Sequence, residues 1–371
     1  MYLGTLILYT LLKMKNILLL FFIVTLCACT SETKNNRRCI HMDEMEVCKN
    51  LETLFGYSDY ELIPLQGDSI LSPFIGMKML VYNNNFVLGD IFYSHAVYLY
   101  DKTGKFSHRI GTKGNASNEY PVLKDFSIWN DTLSLASLSS PGDCFYQYDL
   151  NGKFIKKIEI PEKIISFARN SKGEYLINSG KNIFNSRWQI THYSSNFEKK
   201  GEYMKLDENG NNIPTYENNF SVHNASFCFH ESFNNQLYLL DENGLCLSYY
   251  LDFGNSNNFE NVFSGNFVKS IERLQKEGFY LINSYIETDY LVCLVLNFLK
   301  YDEIKSQFIL NYDKVKNKGN IMELSEADLF LGNICIENGI LYCMVSDKFV
   351  EKFTTEILQP DYDTFILKLK L

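Results

Sequence analysis

No Gly-x-Ser-x-Gly elbow, His-Glu-x-x-His pair, Walker loop or dinucleotide fingerprint occurs in the 371 residues. The nucleophile-elbow, metalloprotease, P-loop and Rossmann chemistries that depend on those spacings therefore have no residues to run on. Cys-x-x-Cys is also missing, which removes the usual ligand spacing of a structural zinc site. Positive charge is in deficit, with 35 Lys and Arg against 44 Asp and Glu, so nucleic acid has no electrostatic footprint to bind. Proline is scarce at 7 and tryptophan scarcer at 2, and no low-complexity tract interrupts the chain.

What is present belongs to a folded chain: 46% hydrophobic and 21% charged residues, with 25 Tyr and 28 Phe carrying most of a 15% aromatic share. Rings in that number suit pleated, half-buried surfaces and lean the reading toward strand. Asn-Gly steps at Asn151-Gly152, Asn209-Gly210, Asn243-Gly244 and Asn338-Gly339 adopt positive φ at low cost and mark tight hairpin turns.

The N-terminus carries an address. Met14-Lys15 gives a short basic start, Ile17 to Leu26 is an apolar run, and Leu26-Cys27-Ala28-Cys29 follows. The run suits a signal-peptide core better than a membrane span, which needs about 20 residues. Its ending resembles the bacterial lipobox, in which a signal peptidase cuts before the cysteine and that cysteine is acylated, so Cys29 is the expected lipid attachment site. The domains read as a signal peptide over 1–28, with translation starting at Met14, a lipid-anchored linker over 29–59 and a folded body over 60–371. Loss of 1–28 removes two lysines and no acid, leaving 33 basic against 44 acidic side chains, a net −11.

The body repeats itself. Tyr100-Asp-Lys-Thr-Gly-Lys-Phe106 returns as Tyr148-Asp-Leu-Asn-Gly-Lys-Phe154, and Asp241-Glu-Asn-Gly244 repeats the turn again. A fainter copy is Tyr193-Ser-Ser-Asn-Phe197, and Asn311-Tyr-Asp313 marks one more corner. Short alternating segments flank these turns. Strand, Asp-x-x-Gly turn and strand at a period of about 40–50 residues is the pattern of a propeller blade. Residues 66–371 divide by the 48-residue spacing of Asp101 and Asp149 into about six units, so the expected fold is all-β, a six-bladed β-propeller. The terminal Phe365–Leu371 strand would be an exposed edge and is expected to pair with Tyr60–Leu65 in a closing blade. The one clear helical pattern, Phe267–Glu277, reads as an insertion between blades.

Ile110-Gly111-x-x-Gly114-x-x-x-x-Glu119-Tyr120 is similar in spacing to the signature of the TolB-like six-bladed β-propeller lipoproteins of Bacteroides-type bacteria. Tyr250-Leu-Asp-Phe-Gly254 and Glu287-Thr-Asp-Tyr-Leu291 resemble two further family segments. Asn115-Ala-Ser-Asn118 stands where that family has Arg-Gly-Pro-Gly. The resemblance implies a fold and a location without an established chemistry. It also makes Asp68-Ser69-Ile70 and Asp131-Thr132-Leu133 resemble an O-glycosylation sequon. The Thr30 position after Cys29 resembles outer-membrane sorting, and the lack of an acidic run after it favours the periplasmic face.

Candidate sites are few. Asp90, Glu119 and Asp125 are carboxylates that could reach a central channel and take calcium, a hard cation for hard ligands; the simpler reading is that they bond local backbone in turns. His223, Cys228 and His230 lie close together in sequence but lack a third partner beyond themselves. Cys39 and Cys48 are the pair to test for a disulfide, and most of the other cysteines read as small core residues. The expected function is that of a lipid-anchored, non-enzymatic binding protein without a cofactor, for an envelope protein or glycan. The alternative is a metal-dependent, lactonase-like hydrolase.

Overall fold

The computed structural model describes residues 38–56, 60–67, 77–138, 142–181, 186–206, 219–231, 233–254, 256–257, 259, 267–301, 303–324, 331–353 and 362–370. The lipobox, Cys29 and the Asp68-Ser69-Ile70 segment lie outside them. Six antiparallel meanders follow one another: blade 1 over 77–110, blade 2 over 125–160, blade 3 over 166–205, blade 4 over 220–252, blade 5 over 279–324 and blade 6 over 331–370. Each begins with its innermost strand. The inner strands Met77–Tyr82, Asp125–Trp129, Ser166–Arg169, Phe220–His223, Phe279–Glu287 and Leu331–Glu337 pack side by side, and the last returns to the first. The result is a six-bladed β-propeller.

Closure comes from the chain ends. Blade 6 supplies only three strands of its own, and Tyr60–Pro64 adds the fourth, antiparallel to Thr364–Lys370 with Leu369 opposite Tyr60 and Phe365 opposite Pro64. The expected pairing of the last strand with the Tyr60–Leu65 segment is therefore observed over Phe365–Leu369 and Tyr60–Pro64, and that strand has no free edge on that side.

Burial follows the ring. One apolar cluster fills each of the six blade-to-blade interfaces. This accounts for the unbroken run Leu291-Val-Cys-Leu-Val-Leu296. Alternation sends Leu291, Cys293 and Val295 toward blade 6 and Val292, Leu294 and Leu296 toward blade 4, so both faces of the strand are dry.

The repeated heptapeptide is a corner. Asp101 Oδ1 accepts from the backbone of Thr103 at 2.8 Å and Lys105 at 3.1 Å, and Asp149 Oδ1 from Asn151 at 3.0 Å and Lys153 at 2.8 Å. Both corners join the third and fourth strands of their blades, and Gly104 and Gly152 take φ of 79° and 83°. Blade 3 builds the same corner from other residues: Ser194 Oγ accepts from Asn196 and Glu198, and Phe197 takes φ of 63°. The corners at Asp241 and Asp313 occupy the same place in blades 4 and 5. Asn338-Gly339, both at positive φ, closes a two-residue hairpin between Glu337 and Ile340, as its sequence predicts. Asn209-Gly210 lies outside the described residues.

Within the segment read as a linker, residues 39–56 are folded. Cys39–His41 adds in parallel to the outer edge of blade 4, and Glu46–Val47 in parallel to that of blade 5. A short helix, Leu51–Phe55, capped by Asn50, buries Leu51, Leu54 and Phe55 between blades 5 and 6. Strand addition of this kind needs only two or three backbone pairs and leaves little periodicity in sequence. Cys39 and Cys48, the pair to test for a disulfide, are free thiols in the structure, Cys39 on the strand at the edge of blade 4 and Cys48 buried in the same cluster as the helix. Phe267–Glu277 is a helix between blades 4 and 5, with Leu274 packed against Phe259, Phe279 and Leu281.

Candidate functional site

Inner-strand side chains decide what the propeller axis can hold. A cavity of about 150 Å³ lies there, lined by all six inner strands, and its polar side chains are spent on joining blades. Asn333 of blade 6 donates to Met79 O at 3.0 Å and accepts from Met79 N at 2.7 Å in blade 1. Lys78 donates to Asp125 Oδ1 at 2.7 Å, and the other oxygen of Asp125 accepts from Phe167 N at 2.7 Å. Ser127 Oγ accepts from Arg169 N, Ser221 Oγ donates to Tyr285 O, and Ser284 Oγ accepts from Ile334 N. Arg169 lies between the rings of Trp129 and Tyr175, 4.7 and 4.3 Å from their centroids, and burial lowers its pKa. The axis is a buried polar seam whose pairs tie neighbouring blades together, although Arg169 Nε and Glu337 Oε2 have no hydrogen-bond partner there.

A larger opening lies between blades 3 and 4. It measures about 430 Å³ and is lined by Lys172, Glu174, His192, Lys200 and Tyr203 from blade 3 and by Ala225–Phe227, Leu240–Glu242 and Gly244 from blade 4. Two corners form its rim. Asn170 Oδ1 accepts from Lys172 N and Glu174 N, each at 3.0 Å, which projects both side chains into the opening, and the Asp241–Gly244 corner faces them. Glu174 is the hub: Asn170 Nδ2 donates to it at 2.8 Å, Lys200 Nζ at 2.5 Å, and His192 Nε2 stands 3.5 Å from Oε2. The lysine and amide hold the Glu174 carboxyl below its usual range against the opposing effect of burial. Burial depresses His192, with Glu174 partly offsetting it. The cleft thus presents one histidine, two ammonium groups and three carboxylates around a half-buried tyrosine ring.

The carboxylates singled out from sequence each have hydrogen-bond partners of their own. Asp90 accepts from the backbone of Phe92, Tyr93 and Ser94 at 3.2, 3.0 and 2.8 Å. Glu119 accepts from Ala116 N at 3.1 Å and folds back over Gly114, where a Cβ would stand 2.0 Å from Glu119 Oε2. Asp125 is the interblade brace described above. His223 sits on the first strand of blade 4 and Cys228 and His230 on the second, separated by a hairpin. Cys228 Sγ accepts from Glu287 N at 3.3 Å, while His230 is buried with its pKa lowered to about 4.

The family-like segments turn out to be braces. Tyr120 Oη donates to His95 O at 3.0 Å and joins blades 1 and 2. Glu287 accepts from Tyr285, from Ser248 at 2.6 Å and from Lys314 at 2.7 Å. Asp252 Oδ1 accepts from Gly254 N at 2.9 Å, and its Oδ2 faces His41 Nδ1 at 3.1 Å. That last contact is part of a grouping absent from the sequence reading: Cys39, His41 and Asp252 offer ligand atoms all within 4.8 Å of one another. The Cys39-x-His41 spacing was its only local signal, because Asp252 lies 211 residues away.

Among solved structures, the chain is similar in fold to a protein of Bacteroides fragilis NCTC 9343 whose given name assumes export. The TM-score is 0.62 at 16% identity, covering 88% of this chain and 98% of that one. A member of the DUF4221 family from Bacteroides vulgatus ATCC 8482 is similar at a TM-score of 0.52 and 10% identity, covering 84% and 96%. At these identities the likeness speaks for the propeller alone. No curated protein matches the chain. The TolB-like resemblance holds at the level of six blades, whereas the family model that matches spans residues 44–364. The chain belongs to the family described as Domain of unknown function (DUF4934).

Proposed function

We propose that this protein is an exported, lipid-anchored binding protein that takes an envelope glycan in the cleft between blades 3 and 4 without transforming it. The observation that carries the reading is the cleft itself: about 430 Å³, rimmed by side chains of both charge signs, with Tyr203 beside them. Small-molecule pockets of that size are usually lined by apolar groups; a lining rich in donors and acceptors suits a ligand that is itself polar over most of its surface. The lipobox at Leu26–Cys29 supports attachment through Cys29. A lipid anchor on the periplasmic face of the outer membrane would set the propeller beside such glycans, and acyl chains on one cysteine give stable anchoring when more than one is present. The lactonase-like reading has less support, because Asp90, Glu119 and Asp125 each accept hydrogen bonds from nearby donors.

The test is a binding screen of the purified full chain in mild detergent against oligosaccharides released from bacterial envelope, with native protein compared to Lys200→Ala and Tyr203→Ala. Saturable binding weakened at least tenfold by either substitution is expected. Binding that neither substitution changes, or retention of envelope proteins with no oligosaccharide, would overturn the assignment.

A further inference from the structure

We propose that Cys39, His41 and Asp252 form a binding site for a divalent cation of the zinc type, which fastens the N-terminal strand to the outer edge of blade 4. Residues 39 and 41 alternate to one side of their strand, while Ile40 between them is fully buried between blades 4 and 5. His41 pairs directly with Asp252 in the parallel register, so backbone geometry alone places three donors on one face. Cys39 Sγ is 4.0 Å from His41 Nδ1, and His41 Nδ1 is 3.1 Å from Asp252 Oδ2. Tetrahedral zinc at ordinary bond lengths separates a sulfur from a nitrogen by about 3.6 Å and a nitrogen from an oxygen by about 3.4 Å. Shifts of a few tenths of an ångström at partly exposed side chains close that gap.

The donor set selects the ion. Thiolate, imidazole and carboxylate together match borderline zinc, whereas calcium asks for oxygen alone. On binding, the thiol releases its proton to solvent, the imidazole coordinates through Nδ1, and the fourth position falls to water. Affinity therefore rises with pH. The site lies at the opposite end of the Gly244–Asp252 strand from the cleft, about 26 Å away at the usual rise per residue, and stands independently of the glycan reading.

The experiment titrates zinc, against a chromophoric chelator, into the full chain purified in mild detergent under reducing conditions. Cobalt titration then reads sulfur ligation directly through its charge-transfer absorption. One equivalent of tight zinc, a cobalt–thiolate band and a melting temperature that rises with zinc are expected. In Cys39→Ser/His41→Ala all three should vanish, with affinity down at least a hundredfold, while Cys246→Ser, at an exposed thiol of the same blade, should keep them. No tight uptake by native protein, an unchanged cobalt band in the double variant, or loss of the band in Cys246→Ser would each overturn the site.

Discussion

Asn333 holds both backbone groups of Met79, its amide donating to the carbonyl at 3.0 Å and its oxygen accepting from the N–H at 2.7 Å. The two residues are 254 apart in sequence and belong to blades 6 and 1. One side chain thus replaces a β-ladder at the seam where the first and last blades meet. Replacement by Ala would leave a buried donor and a buried acceptor on Met79 unmatched, at about 1–3 kcal/mol for each such group. Asn333→Ala is expected to lower the urea midpoint by an amount worth about 2–4 kcal/mol with little change in slope. A loss below about 0.5 kcal/mol would show that water can substitute there.

Lys78 and Asp125 make the corresponding tie between blades 1 and 2. Their side chains are 5% and 0% exposed, so removing one partner strands a charge away from water. Asp125→Leu alone is expected to cost about 3–5 kcal/mol. Joint replacement, Lys78→Met with Asp125→Leu, should cost much less than the sum of the single changes, because neither charge is then left unpaired. Equilibrium unfolding of the four proteins of this cycle measures the coupling, and strict additivity would contradict it.

How far the sequence reaches is clearest at the corners. Asp101 and Asp149 occupy the same turn because every continuous blade must reverse between its third and fourth strands, and that requirement is local enough to be written in five residues. Closure was legible too, since a terminal apolar strand needs a partner. The cleft was not. Its lining comes from separate stretches of two blades, and the one that does repeat, the Asp241–Gly244 corner, reads in sequence only as a turn. Asp90 and Glu119 show the converse problem: a carboxylate that accepts backbone N–H groups in its own loop looks, in sequence, the same as one held ready for a cation. The edge strands at Cys39 and Glu46 were missed because two or three residues acquire meaning only from partners more than two hundred positions away.

Gly89 gives a sharper test of blade packing. A Cβ there would stand 2.1 Å from Cε1 of Phe126, a fully buried ring on the inner strand of blade 2. The ring cannot withdraw without disturbing Val87 and Leu135 in the same cluster. Gly89→Ala is expected to destabilise by about 1–3 kcal/mol through overpacking. Adding Phe126→Leu should recover part of that loss even though Phe126→Leu alone is destabilising. Thermal unfolding of the single and double variants reads the sign of the coupling, and a double variant no better than the sum would place the strain elsewhere.

His230 makes the fold sensitive to mild acid. The ring is 3% exposed, and burial lowers its pKa to about 4, with a hydrogen bond to the Ile282 backbone opposing the shift. A depressed histidine pKa means that the unfolded chain takes up a proton more readily than the native one. Its contribution to stability is therefore fully present above about 6.5, the unfolded value, and is lost as pH falls toward 4. The difference corresponds to about 3 kcal/mol. His230→Gln removes the titration while keeping a polar side chain of similar reach. The variant is expected to be less stable than native protein at pH 7.5 but to lose less stability between pH 6.5 and 4, so the two urea-midpoint curves should converge as acid is added. Parallel curves over that interval would mean that His230 is protonated alike in both states, and that acid sensitivity comes from other groups.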